Sequence, residues 1–183
     1  MKKIDYKNLK IILNSFCGDL SKHSIGYKNN NFYSTNGHIG IRINDKLVDL
    51  SSFKNNPQSE FEIPKYNLDD IIGKVLMYHS YNKISPINID YSELLKSMSL
   101  IYLSNNKTQC AKIIDSIEKY FGIKYLKIIS KTMKILDFNW KYFTGEANKA
   151  SLLASRGINI LIAPLNTFNL KLYSSTTNTI VKL

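Results

Sequence analysis

Apolar side chains recur at helical spacing near the start of the chain. Between residues 5 and 21 they return at intervals of three and four positions, which places them on one face of a helix. Asp5 is suited to cap the start of this helix, and Gly18 is suited to end it. The apolar face consists of Tyr6, Leu9, Leu13 and Phe16.

A second, longer stretch of the same kind ends at Leu136. Two starting points fit the pattern. The helix begins near residue 115 or 116 or, because Gly122 interrupts the periodicity, near Ile123. Its apolar face consists of Leu126, Ile129, Met133 and Leu136.

Alternation of apolar and polar residues predicts β-strands elsewhere in the chain. Residues 32–35 and 38–43 flank the pair Asn36-Gly37. This pair predicts a hairpin with a type I′ turn, because both central residues of that turn need positive φ and Asn and Gly adopt it most readily. Further strands are predicted for residues 60–63, 138–143, 149–153, 158–163 and 170–173. Residues 83–90 are predicted to be extended, and Pro86 limits them to an edge strand or a bend.

The order of these elements predicts an α+β fold. A helix followed by several strands occurs twice, so we expect residues 1–183 to form one domain with an internal pseudo-repeat of about 1–90 and 91–183. A shorter helix is predicted for residues 67–78, and residues 91–103 fit a helix or a strand equally well.

The amino-acid composition indicates the cellular location and the kind of genome that encodes the chain. No run approaches the ~18 apolar residues that a membrane span requires, so we expect no contact with a membrane. Neither Cys17 nor Cys110 belongs to a C-x-x-C motif, which argues against a zinc site and favours a reducing cytoplasm. The scarcity of arginine and the abundance of Asn, Ile and Tyr are typical of an AT-rich genome, such as that of a phage or mobile element in a bacterial host.

The charge pattern indicates an anionic partner. The chain has 25 basic and 14 acidic residues, a net charge of +11. On both long helices lysines recur at intervals of three and four, opposite the apolar face, and like charges at this spacing destabilise an isolated helix. Duplex DNA, contacted at its phosphates without sequence preference, is the partner that this pattern favours, although codon usage alone could fill a solvated face with lysine. The residues are Lys3, Lys7, Lys10, Lys124, Lys127, Lys131 and Lys134.

Three segments, in order, resemble the bacterial β sliding clamps and their small phage relatives. Ser34-Thr35-Asn36-Gly37-His38 resembles the Ala-Thr-Asp-Gly-His hairpin of that family. Residues 121–127 are similar to the start of its second helix, and residues 150–153 with 159–165 are similar to its closing strands. Asn stands at position 36 where the family has Asp, and Ala stands at position 163 where it has Met.

The resemblance implies a clamp-like duplicated helix-plus-antiparallel-sheet domain. In the family, such domains close a ring whose helices line a basic hole around duplex DNA, and a ring built from this chain requires about six copies. The two lysine-bearing helices would then face the DNA. Thr35, Asn36, Gly37 and His38 are assigned a structural role in the hairpin.

No arrangement of residues indicates catalysis. His38 has no neighbouring Asp, Cys or Ser in the order of a triad, and no Gly-rich phosphate loop is present. The pair Asp69-Asp70 could bind a metal, but at the start of a helix it more simply complements the helix dipole. We expect a protein that is not an enzyme, with no catalytic residue, no metal and no cofactor.

Two functions follow from these patterns. The first is a clamp-like DNA-associated protein that binds duplex DNA and forms a homo-oligomer, with a polymerase or a host protein as alternative further partners. The second is a phage-encoded interaction module or inhibitor that binds a host replication or defence protein, since a fold does not determine a function.

Overall fold

The structure is a computed structural model that describes residues 3–18, 25–64, 66–103, 108–114, 116–136, 138–165, 172–174 and 180–181. The helices are α1 (Tyr6–Cys17), α2 (Pro57–Glu60), α3 (Leu68–Tyr81), α4 (Tyr91–Ser97) and α5 (Ile123–Leu136). The strands are β1 (Ile25–Lys28), β2 (Asn31–Thr35), β3 (Ile39–Asn44), β4 (Ile87–Ile89), β5 (Tyr102–Leu103), β6 (Gln109–Lys112), β7 (Tyr120–Gly122), β8 (Trp140–Phe143), β9 (Ser151–Ser155), β10 (Ile158–Ile162), β11 (Leu172–Ser174) and β12 (Ile180–Val181).

The strands form two antiparallel sheets, which confirms the α+β class. The larger has seven strands in the order β1-β2-β3-β10-β9-β8-β4, and the smaller has five in the order β12-β11-β5-β6-β7. In the larger sheet, α1 precedes the meander β1–β3 and α5 precedes the meander β8–β10, and the last strands of the two meanders pair with each other. These units occupy residues 6–44 and 123–162.

The inner face of the seven-stranded sheet carries the main core. Alternate residues of β3 and β10, among them Ile41 and Ile160, point to this face and are fully buried. Helices α1 and α5 contact each other and cover the isoleucines with their own apolar sides. Helix α3 covers part of the opposite, outer face, where Leu152 and Leu161 meet Ile72.

Both predicted long helices are present, with ends set by local chemistry. The Asp5 carboxylate accepts a hydrogen bond from the backbone N–H of Asn8 at 2.8 Å, so it caps α1 as predicted. Gly18, with φ of +62°, follows the last residue of α1 and ends the helix as predicted. The apolar spacing in the sequence continues to residue 21, beyond this end. Helix α5 begins at Ile123, the later of the two predicted starts, because β7 occupies the three preceding residues.

The hairpin between β2 and β3 is confirmed, but its predicted turn type is wrong. Gly37 has φ of +84°, whereas neither Asn36 nor His38 has positive φ. The Asn36 side chain is used instead as an acceptor, because its oxygen receives the backbone N–H groups of His38 and Ile39, each at 3.0 Å. A pair with the φ values of a type I′ turn joins β1 and β2, where Asn29 and Asn30 have φ of +49° and +59°.

Short elements differ most from the prediction. Residues 60–63 are not a strand: α2 ends at Glu60, and Glu62 makes a single bridge to Gly26. Residues 91–103 contain both alternatives, α4 and then β5, because Asp90 and Glu93 form a capping box at the start of the helix. In the predicted strand 170–173, the first two residues lie outside the described part of the chain.

Among the residues that the structure describes, no helix has the length and apolarity needed to cross a membrane.

Candidate nucleic-acid interface

Helix α5 divides cleanly into a buried side and a lysine side. All four predicted lysines are exposed, whereas Leu126, Ile129 and Met133 on the other side are buried in the core. No acidic residue lies in α5, and none of its lysines forms an ion pair with any residue that the structure describes. The exposed set is Lys124, Lys127, Lys131 and Lys134.

Helix α1 contributes two of its three predicted lysines. Lys7 and Lys10 are exposed on the helix, but Lys3 precedes it and does not continue the helical row. The reason is that the backbone of Ile4 is extended: its N–H donates to the carbonyl of Leu47 at 2.8 Å, and its carbonyl accepts from residue 49 at 2.8 Å. Lys3 is exposed just before the helix begins.

Lys10 lies beside an aromatic ring. Its ammonium group lies 4.9 Å from the centroid of the Tyr6 ring. The Tyr6 side chain, foremost, raises the pKa of Lys10 above its ordinary value, and the charge of Glu60 acts in the same direction. Tyr6 in turn donates its hydroxyl to Glu60 at 2.6 Å. Lys10 therefore stays charged at neutral pH but lies close to a carboxylate.

The hairpin loop 36–38 lies between the end of α1 and the start of α5. A Cβ on Gly18 at the end of α1 would be 3.8 Å from the amide nitrogen of Asn36. On the other side, the His38 ring stacks on Tyr125 with centroids 5.4 Å apart and planes 21° apart. The loop therefore packs between the two long helices, and the His38 ring lies against the first turn of α5.

Thr35 fastens the base of the same loop. Its hydroxyl donates to the carbonyl of Ile39 at 2.7 Å and accepts from the N–H of Gly37 at 3.0 Å.

We call the exposed lysines of α1 and α5 the lysine surface. It consists of six of the seven predicted residues, namely Lys7, Lys10, Lys124, Lys127, Lys131 and Lys134.

The acidic pair at the start of α3 is already bound to cations and a phenol. Asp69 accepts from Arg42 at 2.8 Å and from the Tyr33 hydroxyl at 2.8 Å. Asp70 accepts from Lys74 at 2.7 Å. Burial, foremost, raises the pKa of Tyr33, so its proton stays on the phenol. Across the described ranges, no three His, Cys, Asp or Glu side chains come together as a metal would need.

Two buried basic side chains that the sequence did not single out hold the segment 144–149. The ammonium of Lys119 donates to the carbonyls of Gly145 at 2.8 Å and Lys149 at 3.0 Å, and burial lowers the pKa of Lys119 to about 8. The ring nitrogens of His79 lie 3.0 Å from the carbonyl oxygen of residue 84 and 2.9 Å from that of Thr144. No periodicity marks these two residues, because their partners are distant in sequence.

The same segment and α3 form an apolar groove of about 870 Å³. Met77 and Tyr81, which line it, are 71% and 88% exposed. The sequence carries a signal for this groove. Apolar residues of α3, such as Ile71 and Leu76, extend around the helix beyond the side that is buried on the sheet, so some of them remain exposed.

Comparison of the chain with protein-family models gives no match, and comparison with curated protein sequences gives none either. A function is therefore inferred from the lysine surface, the apolar groove and the topology of the large sheet.

Proposed function

We propose that this protein is a non-enzymatic, clamp-like DNA-associated protein that contacts duplex phosphates through the lysine surface. The observation that carries the proposal is the single-sign side of α5, where four exposed lysines have no acidic neighbour in the helix. Like charges at this spacing weaken the helix, so a bound polyanion would relieve a repulsion as well as gain contacts.

The length of the row of four lysines on α5 suits a duplex. At ~1.5 Å per residue, Lys124 and Lys134 are about 15 Å apart along the helix. This length exceeds the ~12 Å width of the major groove, so the ammonium groups at its ends would reach phosphates on both sides of the groove. Lysine is a point charge on a flexible stem and reads no base edge in this arrangement. The binding would therefore have little sequence preference.

The topology supports the clamp-like part of the proposal. Two units of one helix and a three-strand meander meet where β3 pairs with β10, and their helices contact each other on one side of the sheet. That is the arrangement in which two pseudo-repeated helices would line the hole of a ring. In the proposed assembly, about six copies of the chain associate into such a ring.

One sheet edge is suited to subunit association. At one end of the large sheet, the N–H of Tyr27 in β1 donates to the carbonyl of Glu62 at 2.9 Å, so that edge is partly covered. At the other end, β4 pairs only with β8 within the described part of the chain. Ile87 on β4 is 38% exposed. An edge strand with an exposed apolar residue favours pairing with a second chain.

The experiment is a salt titration of DNA binding. Fluorescence anisotropy of a labelled duplex would be measured for the natural protein and for a variant with Lys124, Lys127, Lys131 and Lys134 changed to Glu. We expect the natural protein to lose affinity steeply with salt. The variant should lose most of its affinity, and its slope of log K against log salt should be smaller by about 3 to 4.

A charge-matched variant provides the control. Lys28, Lys46, Lys54 and Lys83 are exposed and lie outside α1 and α5, so changing them to Glu alters the net charge by the same amount. This variant should keep most of the affinity and slope. Equal losses in the two variants would mean that overall charge, and not the lysine surface, determines binding, and the proposed interface would be rejected.

The apolar groove beside α3 favours the second candidate, an interaction module for a host protein. Exposed large apolar side chains beside a groove are typical of protein contacts. Met77→Ser and Tyr81→Ser would be compared with the natural chain in a pull-down from nuclease-treated host lysate. A band retained by the natural chain and lost from both variants would support this function, whereas identical bands would reject the groove as its site.

A further inference from the structure

His79 lies in the last turn of α3, and both nitrogens of its ring face backbone carbonyl groups. Nδ1 lies 3.0 Å from the carbonyl oxygen of Ile84, and Nε2 lies 2.9 Å from that of Thr144. Only 5% of His79 is exposed, so solvent offers little to a ring nitrogen without a protein partner. The two carbonyl groups belong to different parts of the chain, the turn after α3 and the segment 144–149 after β8.

Two acceptors around one imidazole need two donors. A neutral imidazole donates from one nitrogen and carries a lone pair on the other, whereas the protonated ring donates from both nitrogens. With a neutral ring, one of the two carbonyl oxygens therefore faces a lone pair. The protonated ring pairs both oxygens, and it places a positive charge near the C-terminal end of α3, where the helix dipole favours one.

The rings that the structure places beside His79 are uncharged near neutral pH. The Phe143 ring of β8 meets it edge to face, with centroids 5.1 Å apart, and the Tyr78 ring lies 6.3 Å away. A phenol keeps its proton well above the range in which histidine titrates. Charged side chains on the elements around the ring are exposed, so solvent screens them from it. They are Asp69, Asp70 and Lys74 on α3, Lys83 in the turn, Lys141 on β8, and Glu146 and Lys149 in the segment.

Lys119 holds the rest of the segment in a way that does not depend on its protonation. Its side-chain nitrogen has two acceptors, the carbonyl oxygens of Gly145 and Lys149. A neutral amine still has two N–H donors, so both hydrogen bonds remain after the ammonium loses a proton. Residue 144 is therefore the place where a change of protonation releases the segment.

The two contacts of the His79 ring differ in how well they are supported. Nδ1 faces the turn directly after the helix, and the N–H of Ile84 also donates to the His79 carbonyl at 2.9 Å. Nε2 faces Thr144, which is 65 positions away along the chain. Because the turn stays beside the ring, the single proton of a neutral imidazole is better placed on Nδ1. The contact with Thr144 is then the one that is lost.

We propose that His79 is a proton-dependent latch: its protonated ring binds the carbonyl group of Thr144 and its neutral ring releases it. The latch lies beside the apolar groove, because α3 and the segment 144–149 form the walls of that groove. At lower pH the segment is held at residue 144 as well as by Lys119. At higher pH Lys119 alone holds it, and the wall that begins at Gly145 moves. The latch is separate from DNA binding through the lysine surface.

The test is an NMR titration of the ¹⁵N-labelled full chain across the histidine range, from about pH 5 to 9. Correlations of the imidazole nitrogens report which of them carries a proton, and H79Q identifies the His79 signals by their absence. We expect both ring nitrogens to be protonated at the acid end and Nδ1 alone at the alkaline end. The Thr144 and Gly145 amide signals should shift with the same midpoint, as should the methyl signal of Met77 on the opposite wall.

H79Q also serves as a matched variant, because glutamine has a donor and an acceptor at every pH. Its Thr144 amide signal should be insensitive to pH and should resemble that of the natural chain at the alkaline end. The control is H38Q, which removes an exposed ring elsewhere and should leave the response of Thr144 unchanged. A response of Thr144 that is the same in H79Q and the natural chain would overturn the proposal, since another group would then move the segment.

The natural chain alone also decides the question, so an unstable H79Q would not prevent a conclusion. A His79 ring with the same protonation at both ends of the titration would overturn the latch. So would a neutral ring with its proton on Nε2, because Ile84 and not Thr144 would then be released. Titration of the ring without shifts at Thr144 and Met77 would show that the segment does not move. None of these results bears on duplex binding.

Discussion

The ammonium group of Lys119 lies 2.8 Å from the carbonyl oxygen of Gly145, and only 4% of Lys119 is exposed. Burial, foremost, lowers the pKa of Lys119 to about 8 from an ordinary value of 10.5. Between these two values the unfolded chain holds a proton that the folded chain has released. The free energy of unfolding therefore gains a contribution from this residue as pH rises from about 8 towards 10.5.

The first prediction concerns this pH dependence. Urea unfolding of the natural protein and of Lys119→Met would be measured at several values between pH 7 and 10. The difference in unfolding free energy, natural minus variant, should increase with pH in that window. A difference that is constant, or that decreases with pH, would show that Lys119 is not held as a desolvated cation.

The second prediction concerns the stack of His38 on Tyr125. His38→Ala should lower the free energy of unfolding by about 0.5 to 1 kcal/mol, because an aromatic pair contributes that much beyond its buried area. His38→Phe keeps a ring at the same place and should restore most of the loss. If the Phe variant is as unstable as the Ala variant, the stacked ring is not what the loop requires.

The third prediction concerns Gly26, which lies against the segment that follows α2. An added Cβ would be 2.6 Å from the nitrogen of Pro64 and 2.7 Å from the oxygen of Glu62, so backbone must move. Gly26→Ala should destabilise the fold by about 1 to 3 kcal/mol, as overpacking does.

Gly73 is the matched control for Gly26. It lies inside α3, and an added Cβ would meet nothing within 4 Å. Gly73→Ala should therefore stabilise the protein by about 1 kcal/mol, because alanine is the better helix former. Both changes can be read from the same urea titrations. A stabilising Gly26→Ala would contradict the close approach of the two backbones.

The fourth prediction concerns oligomeric state and rests on the proposed clamp-like function. Light scattering with and without duplex DNA should give a mass about six times the 21.0 kDa of one chain. Ile87→Lys places a charge on the exposed edge strand β4 and should lower this mass. A single-chain mass in every condition would reject the ring and favour the second candidate function, binding to a host protein.

Local spacing predicted the parts of the fold that local physics controls. The periodicity around Leu13 and Ile129 identified both long helices and their buried sides, and Asp5 and Gly18 were recognised as the ends of α1. The same spacing placed the α5 lysines on the exposed side. Lys3 was placed wrongly in the helical row, because its neighbour Ile4 forms backbone hydrogen bonds with residues 47 and 49 that no local pattern records.

Short strands and turn types were predicted least well. The strands β4 to β7 have two to four residues each, too few for an alternation to stand out, and they exist through their pairing with distant strands. The β2–β3 turn depends on the Asn36 side chain accepting two backbone N–H groups. A dipeptide rule that considers only φ preferences does not include this contact.

By itself, the sequence determined the α+β class, the two amphipathic helices and the single-sign lysine rows, because each depends on residues within a few positions of one another. Only the tertiary structure decided that β3 pairs with β10, that Lys119 and His79 hold one segment, and that Arg42 and Lys141 share a row across the sheet. Those relationships join residues that are far apart along the chain. They become determinate only when the sheet and its core bring the residues into contact.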